Sequence, residues 1–216
     1  RDTDRSRGLG DVYKRQSPSL MSFFIENDRI ADRKEIRQRS IFPTQPADYP
    51  YKTFPLYVFC TNNITMAISY YAEDVKLPAL RKRETNEWIR TIASLYDKKC
   101  GDIAYIFCSD EKILDVNKEY LQHDYYTDVI TFDYTEANRI SGDIFISLDT
   151  IQSNAESFGA AYGEELYRIL IHGVLHLCGI NDKGPGEREI MTQKENEALA
   201  LLPEGLKTTI QQLQRK

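Results

Sequence analysis

Apolar residues recur with a helical period in the C-terminal part of the chain, and the clearest case covers residues 163–179. Its apolar side chains fall on one face of a 3.6-residue helix, which predicts a helix with one buried side. They are Leu166, Ile169, Leu170, Val174 and Leu177. Gly179 follows them directly and is expected to end the helix, since glycine readily adopts the left-handed conformation found at helix ends.

Shorter apolar and β-branched runs predict strands at residues 67–71, 101–109, 127–134 and 143–148. The last two flank the turn-like residues 137–142, so we expect them to form a hairpin. Helical spacing predicts further helices at 77–99, 111–121, 149–158 and 186–202, with Pro78 in a first turn and Ser109 or Asp110 as a cap. The expected fold class is α/β (α+β), a small mixed sheet of about four strands packed with about five helices.

Residues 1–65 lack such a pattern. Asp11–Gln16 match, residue for residue, the translation of a transposase-end sequencing adaptor, and residues 41–55 contain four prolines, which favours extended chain. We interpret residues 1–65 as a non-native, adaptor-derived and read-through extension, largely disordered, with Met66 as the natural start. Residues 66–216 are then the folded domain.

The distribution of charge supports the same boundary. The chain has a net charge of −5, but residues 1–65 carry 11 Lys and Arg against 8 Asp and Glu, and residues 66–216 carry 17 against 25. An acidic domain is a poor general binder of nucleic acid, because phosphate contacts dominate that affinity. Any RNA contact therefore needs a local basic patch. Arg81, Lys82 and Arg83 form one such cluster or, alternatively, a solvated helix face.

Cysteine usage and hydropathy point to the cytoplasm. Cys60, Cys100, Cys108 and Cys178 form no CxxC pair, which favours reduced thiols. No run of 18 apolar residues occurs, so no membrane span is predicted.

Two of the three histidines of the chain, His172 and His176, lie four positions apart on the predicted 163–179 helix. That spacing puts both on one face, with Cβ atoms about 6 Å apart, a separation that suits two imidazoles on one metal ion. Asp182 follows the helix-ending Gly179 and is the expected third ligand. Three protein ligands and one water form the open arrangement of a catalytic zinc site.

We therefore predict one Zn²⁺ per chain on a zincin-like helix, held by His172, His176 and Asp182. The catalytic group is then the metal-bound water, with its two histidine ligands as the candidate catalytic residues and no side chain assigned as general base. The zinc peptidase motif H-E-x-x-H has a glutamate where this chain has Gly173, which counts against a peptidase. Ordinary core or surface histidines remain the alternative.

The stretch HGVLHLCGIND, residues 172–182, resembles the signature H-G-x-L-H-L-x-G-x-D-H of the YbeY family, with Asp182 at the position of the third histidine. Two further blocks resemble the family in the same order. The first, within residues 116–134, matches through Asn117, Tyr120, Asp124, Thr127, Asp128, Val129 and Phe132. The second is GDIFIS at residues 142–147. The resemblance covers residues 66–202.

The resemblance implies a zinc-dependent, single-strand-specific endoribonuclease of rRNA maturation and ribosome quality control. It implies RNA (rRNA) and the ribosome or ribosomal proteins as partners, and no nucleotide cofactor. The family usually has an arginine where this chain has Leu121, which favours the alternative of a non-catalytic, zinc-containing ribosome assembly factor. Lys118 and His123 lie nearby, but spacing alone assigns neither to that role.

Four side chains around these blocks have two open interpretations. Tyr125 and Tyr126 either stack on RNA bases or pack on the sheet edge. Asp128 and Asp143 either orient a histidine ligand or serve as turn and strand-end residues. Cys178, close to His176, is interpreted as a core residue rather than a ligand.

Overall fold

A computed structural model describes residues 11–14 and 67–213 of the chain. Its strands are β1 (Asp11–Lys14), β2 (Ile68–Ala72), β3 (Lys99–Cys108), β4 (Val129–Asp133) and β5 (Arg139–Ser147). Its helices are α1 (Lys82–Ser94), α2 (Asp110–Val116), α3 (Leu148–Phe158), α4 (Tyr162–Leu177), α5 (Glu187–Ala200) and α6 (Glu204–Leu213). A π-helical turn, Asn117–Leu121, continues α2.

The strands form one mixed sheet in the order β1-β4-β5-β3-β2. Strands β2, β3 and β5 are parallel neighbours, whereas β4 is antiparallel to β5 and makes the predicted hairpin with it. Parallel strands need a crossover connection, and α1 supplies the one between β2 and β3. The predicted α/β class with a small mixed sheet is therefore confirmed.

The two faces of the sheet are covered unequally. One face packs against α1 and α4, and α5 and α6 lie on the outer side of α4. These elements share a large apolar cluster that includes Trp88, Tyr105 and Leu170. Two buried hydrogen bonds reinforce this packing. Trp88 Nε1 of α1 donates to the Ala198 carbonyl of α5 at 3.0 Å, and the Tyr105 hydroxyl of β3 donates to the Leu170 carbonyl of α4 at 3.0 Å. The other face is covered by α2 and the π-helical turn in a smaller cluster. Helix α4 is thus held between the sheet and the outer helices.

Several predicted boundaries differ from those observed. The helix predicted at 77–99 is observed at Lys82–Ser94, so Pro78 precedes it and does not lie in its first turn. Helix α2 ends at Val116, where the chain widens into the π-helical turn. Ser109 caps α2 as expected, accepting a hydrogen bond from the Lys112 amide at 3.2 Å. Strand β5 starts at Arg139, within the predicted turn. Helix α6 has no counterpart in the prediction.

Four residues of the N-terminal segment are described, and they form strand β1, parallel to β4 in the register Asp11↔Ile130 to Lys14↔Asp133. The segment is therefore structured at this point, along the edge that the hairpin leaves open. The rest of residues 1–65, including the proline-rich part, lies outside the described residues. The domain boundary at Met66 remains a prediction.

Candidate metal centre

Helix α4 approaches the β4–β5 hairpin closely at Gly173. A Cβ atom at this position would lie 2.8 Å from Ile144 Cγ2, 3.0 Å from Ile144 Cδ1 and 3.3 Å from Thr131 Oγ1. Ile144 and Thr131 are fully buried, so neither has open space to move into. Any side chain at this position would press the helix that carries both histidines away from the sheet, and the glutamate of a zinc peptidase is too large to fit there.

The end of α4 returns the chain toward its own last turn. Gly179 has a φ of 94°, its amide donates to the His176 carbonyl at 2.8 Å, and the Ile180 amide donates to the Leu175 carbonyl at 3.0 Å. This pair of bonds is the Schellman motif that glycine favours at helix ends. The reversal brings the segment containing Asp182 back over the histidine-bearing face.

The three predicted ligands meet at this point. Their nearest nitrogen and oxygen atoms all lie within 4.8 Å of one another. His172 Nε2 lies 3.7 Å from Asp182 Oδ2, and His176 Nε2 lies 3.8 Å from Asp182 Oδ1. The two imidazole rings are perpendicular with centroids 4.4 Å apart. All three side chains are buried, at 1%, 3% and 6% exposure.

The arrangement fits a bound cation by a direct criterion. His172 Nε2, His176 Nε2 and Asp182 Oδ2 are buried and have no hydrogen-bond partner among the described residues. Buried polar atoms are normally paired, since leaving one unpaired costs about 1–3 kcal/mol. Two imidazole nitrogens and a carboxylate oxygen that converge in this way match the donor set of a divalent metal site with an open position.

The other ring nitrogen of each histidine is fixed by an acceptor. His172 Nδ1 lies 2.7 Å from Glu195 Oε1, and His176 Nδ1 lies 2.8 Å from the Ile180 carbonyl oxygen. A carboxylate and a carbonyl only accept, so both Nδ1 atoms carry hydrogen and both Nε2 lone pairs face the centre. Sequence reasoning missed Glu195, which lies on α5, away from the HGVLHLCGIND stretch.

The pKa values of the two histidines are shifted in opposite directions. Burial opposes charging of His172, but its hydrogen bond to Glu195 and the nearby carboxylates outweigh burial and raise its pKa. Burial and the neighbouring His172 lower the pKa of His176 to about 3, so that His176 is neutral. Burial raises the pKa of Asp182. A cation and a proton therefore compete for the same atoms, as at metal sites generally.

Asp128, Asp143 and Cys178 differ in how they relate to the three candidate ligands. Asp128 is buried and its charge acts on both His172 and Asp182, so it lies close to the centre. Asp143 instead accepts a hydrogen bond from the Tyr134 hydroxyl at 3.1 Å. Burial raises the pKa of the Cys178 thiol to about 12, which favours the neutral thiol of a packed side chain over a metal-binding thiolate.

The surface beside Asp128 carries aromatic side chains. Tyr125 and Tyr126 are 41% and 51% exposed, so neither is covered by the sheet edge. The ring of His123 stacks on Tyr125 at 5.1 Å. Lys118 forms an ion pair with Asp124 at 2.8 Å.

Leu121, at the position of the family arginine, packs against the apolar cluster under the π-helical turn. The basic cluster at residues 81–83 is neutralised in part, because Arg81 pairs with Glu84 at 2.9 Å and Arg83 with Glu87 at 3.1 Å. Positive charge near the centre comes from Lys183 and Arg188, both of which act on Asp182.

The three described cysteines, Cys100, Cys108 and Cys178, are free thiols. Within residues 67–213, no helix has both the length and the apolar character needed to cross a membrane.

A buried helix carries two histidines four residues apart, and the following turn brings a carboxylate back beside them. Supported by a mixed α/β sheet, this arrangement defines an α/β protein with a candidate metal site on a zincin-like helix. The profile of the family described as Endoribonuclease YbeY matches residues 68–203. The chain therefore belongs to the YbeY family, a family of endoribonucleases, and both the predicted family and the predicted enzyme class are confirmed.

Similar proteins share most of their own length with this chain. Endoribonuclease YbeY of Parabacteroides distasonis is 70% identical over 139 residues, which are 64% of this chain and 98% of that protein. The Bacteroides thetaiotaomicron protein of the same name is 68% identical over 136 residues, 63% of this chain and 99% of the relative. The protein TM1509 from Thermotoga maritima, known from a solution structure, is 26% identical in sequence. The match covers 62% of this chain and 87% of the TM1509 chain, with a TM-score of 0.44.

Proposed function

We propose that this chain is a zinc-dependent endoribonuclease that cleaves single-stranded RNA in rRNA maturation and ribosome quality control, in the cytoplasm. The observation that carries the proposal is the convergence of His172 Nε2, His176 Nε2 and Asp182 Oδ2 without protein partners, within the residues that match the family. The names of the relatives supply the reaction class.

The donor set suits zinc, which takes imidazole nitrogen and carboxylate oxygen in sites with an open position. A zinc ion held there lowers the pKa of water to about 7 and offsets negative charge on a phosphoryl oxygen. The chain's own contribution is to hold the three donor atoms. The Ile180 carbonyl and Glu195 keep each Nδ1 protonated, and therefore keep each Nε2 available.

Single-stranded RNA is favoured as substrate because its bases are free to stack on exposed rings. Tyr125 and Tyr126 present such rings two to three residues before Asp128, whose charge acts on the centre. In an acidic domain, Lys183 and Arg188 supply the positive charge beside Asp182 that a phosphate backbone requires. Lys183 is exposed, directly after the ligand.

Cleavage of an end-labelled single-stranded RNA tests this function, with the duplex of the same sequence alongside. We expect cleavage of the single strand only, loss of cleavage with a chelator, and recovery when zinc is added back. His176→Ala, purified in parallel, should stay inactive after zinc addition. Cleavage that persists equally in the chelator or in His176→Ala would exclude the metal centre as its source.

A non-catalytic ribosome assembly factor is the second candidate, and Leu121 is the observation that favours it. Its side chain packs into the apolar cluster, so the position offers RNA no positive charge. The same assay separates the two functions. Zinc bound by the parent without cleavage, together with zinc-dependent binding to ribosomal particles, favours the assembly factor.

A further inference from the structure

A buried cluster of charged side chains lies behind His172, on the side away from the other two ligands. It consists of Glu165 and Arg168 on α4 and Glu195 on α5. Glu195 Oε1 accepts from His172 Nδ1 at 2.7 Å, while Glu195 Oε2 accepts from Arg168 Nη1 at 3.2 Å. Each oxygen of this carboxylate thus has its own partner, and the plane of the carboxylate is fixed.

Arg168 is itself held from several directions. Its Nη1 donates to Asn196 Oδ1 at 2.8 Å, its Nη2 to Glu164 Oε1 at 3.4 Å, and its Nε lies 3.7 Å from Glu165 Oε2. The guanidinium therefore joins α4 to α5 at the level of His172. Because the guanidinium is planar and is held by these other partners, its Nη1 keeps a fixed direction toward Glu195 Oε2.

We propose that Glu195, clamped by Arg168, is the positioning residue of the metal centre: it fixes the tautomer and ring orientation of His172. This inference rests on the proposed metal centre but not on RNA cleavage. A carboxylate that accepts from Nδ1 leaves the Nε2 lone pair facing Asp182, at 3.7 Å. Without this acceptor, His172 can place its hydrogen on Nε2 and turn its ring.

The balance of buried charge supports the same role. Glu165, Glu195 and Asp182 are at most 6% exposed, and Arg168, also at 6%, is the guanidinium that pairs with the two glutamates. Buried carboxylates in excess are costly unless a cation offsets them. A divalent ion held by His172, His176 and Asp182 would supply that positive charge, and the hydrogen bond from His172 places the Glu195 carboxylate directly behind one of its ligands.

Zinc affinity, measured against a competing chromophoric chelator, tests the inference. Glu195→Leu removes the acceptor and should weaken zinc binding by about 10–100-fold. Glu195→Gln keeps an acceptor of the same shape without the charge, so its affinity should fall less. In Co²⁺-loaded protein, the visible absorption bands should change in Glu195→Leu and stay close to the parent's in Glu195→Gln.

Met191→Ala is the matched control, since Met191 is buried on the same helix as Glu195 but carries no charged group. It should lower the thermal midpoint of the metal-free protein without changing zinc affinity or the Co²⁺ spectrum. Parent-like zinc affinity in both Glu195 variants overturns the inference, and Glu195→Gln decides the matter if Glu195→Leu does not fold. Absence of zinc binding in the parent overturns the proposed metal centre itself.

Discussion

Replacement of Gly173 by alanine tests how the metal-binding helix is held on the sheet. The added Cβ would meet Ile144 Cγ2 at 2.8 Å and Cδ1 at 3.0 Å, well inside normal contact distance. Ile144 is fully buried and β-branched, so it has little freedom to move away. The substitution therefore forces α4 and β5 apart or drives Ile144 from its rotamer.

The magnitude follows from two opposing effects. Overpacking of a filled core typically costs about 1–3 kcal/mol. Alanine in place of glycine inside a helix returns about 1 kcal/mol. We expect Gly173→Ala to be destabilising by roughly 0–2 kcal/mol, which lowers the thermal midpoint by up to about 8 °C for a domain of this size.

A double-mutant cycle separates the two effects. In an Ile144→Ala background the clash is gone, so Gly173→Ala should become stabilising by about 1 kcal/mol. Ile146→Ala is the matched control, because Ile146 is equally buried on the same strand and is not among the atoms nearest Gly173. In that background Gly173→Ala should keep its original cost.

Denaturant unfolding of the four proteins of the cycle, all metal-free, gives the coupling energy. A coupling of about 1–3 kcal/mol between positions 173 and 144 is expected from the overpacking cost. A coupling near zero, or a stabilising Gly173→Ala in the parent, would refute the close approach of α4 to β5. It would also remove the steric argument against a glutamate at this position.

Three further outcomes are expected. Zinc at about 1,000 times its dissociation constant should stabilise the domain by about 4 kcal/mol and raise its thermal midpoint by roughly 8–16 °C, as measured by scanning calorimetry. An unchanged midpoint would contradict zinc binding at the proposed centre. In chelator competition, Asp182→Ala should lower zinc affinity by about 10–100-fold or more, Asp182→His should restore the affinity, and Asp182→Asn should give an intermediate value. Parent-like affinity in Asp182→Ala would mean that another residue is the third ligand. A chain starting at Met66 should keep its zinc and its midpoint, whereas a loss of several degrees would mean that the pairing of β1 with β4 contributes to stability.

The proximity of the three candidate ligands is predictable from the sequence, because all three lie within eleven residues of one another. His172 and His176 share a helical face by spacing alone, and Gly179 signals the reversal that returns Asp182. The contact between Glu195 and His172 cannot be predicted in this way. Helix α5 contains four glutamates, and the sequence does not indicate which of them faces α4. Its selection depends on how α5 crosses α4, which is a property of tertiary packing.

The same distinction applies to the fold. The β4–β5 hairpin follows from alternation and an intervening turn, and it was predicted. The start of α1 at Lys82 is not evident from the sequence. Tertiary packing decides which terminal residues make enough contacts to offset the conformational entropy lost on forming the helix. Helix α6 was missed because its sequence is short and mostly polar, although Leu206 is fully buried.

X-ray absorption of the zinc-loaded protein shows directly whether two histidines and one aspartate hold a single ion. We expect one zinc per chain, with nitrogen and oxygen scatterers at about 2.0–2.2 Å, two of them from imidazoles. Any zinc retained by His176→Ala should have lost one imidazole. A sulfur scatterer at about 2.3 Å, or a spectrum unchanged in His176→Ala, would contradict it.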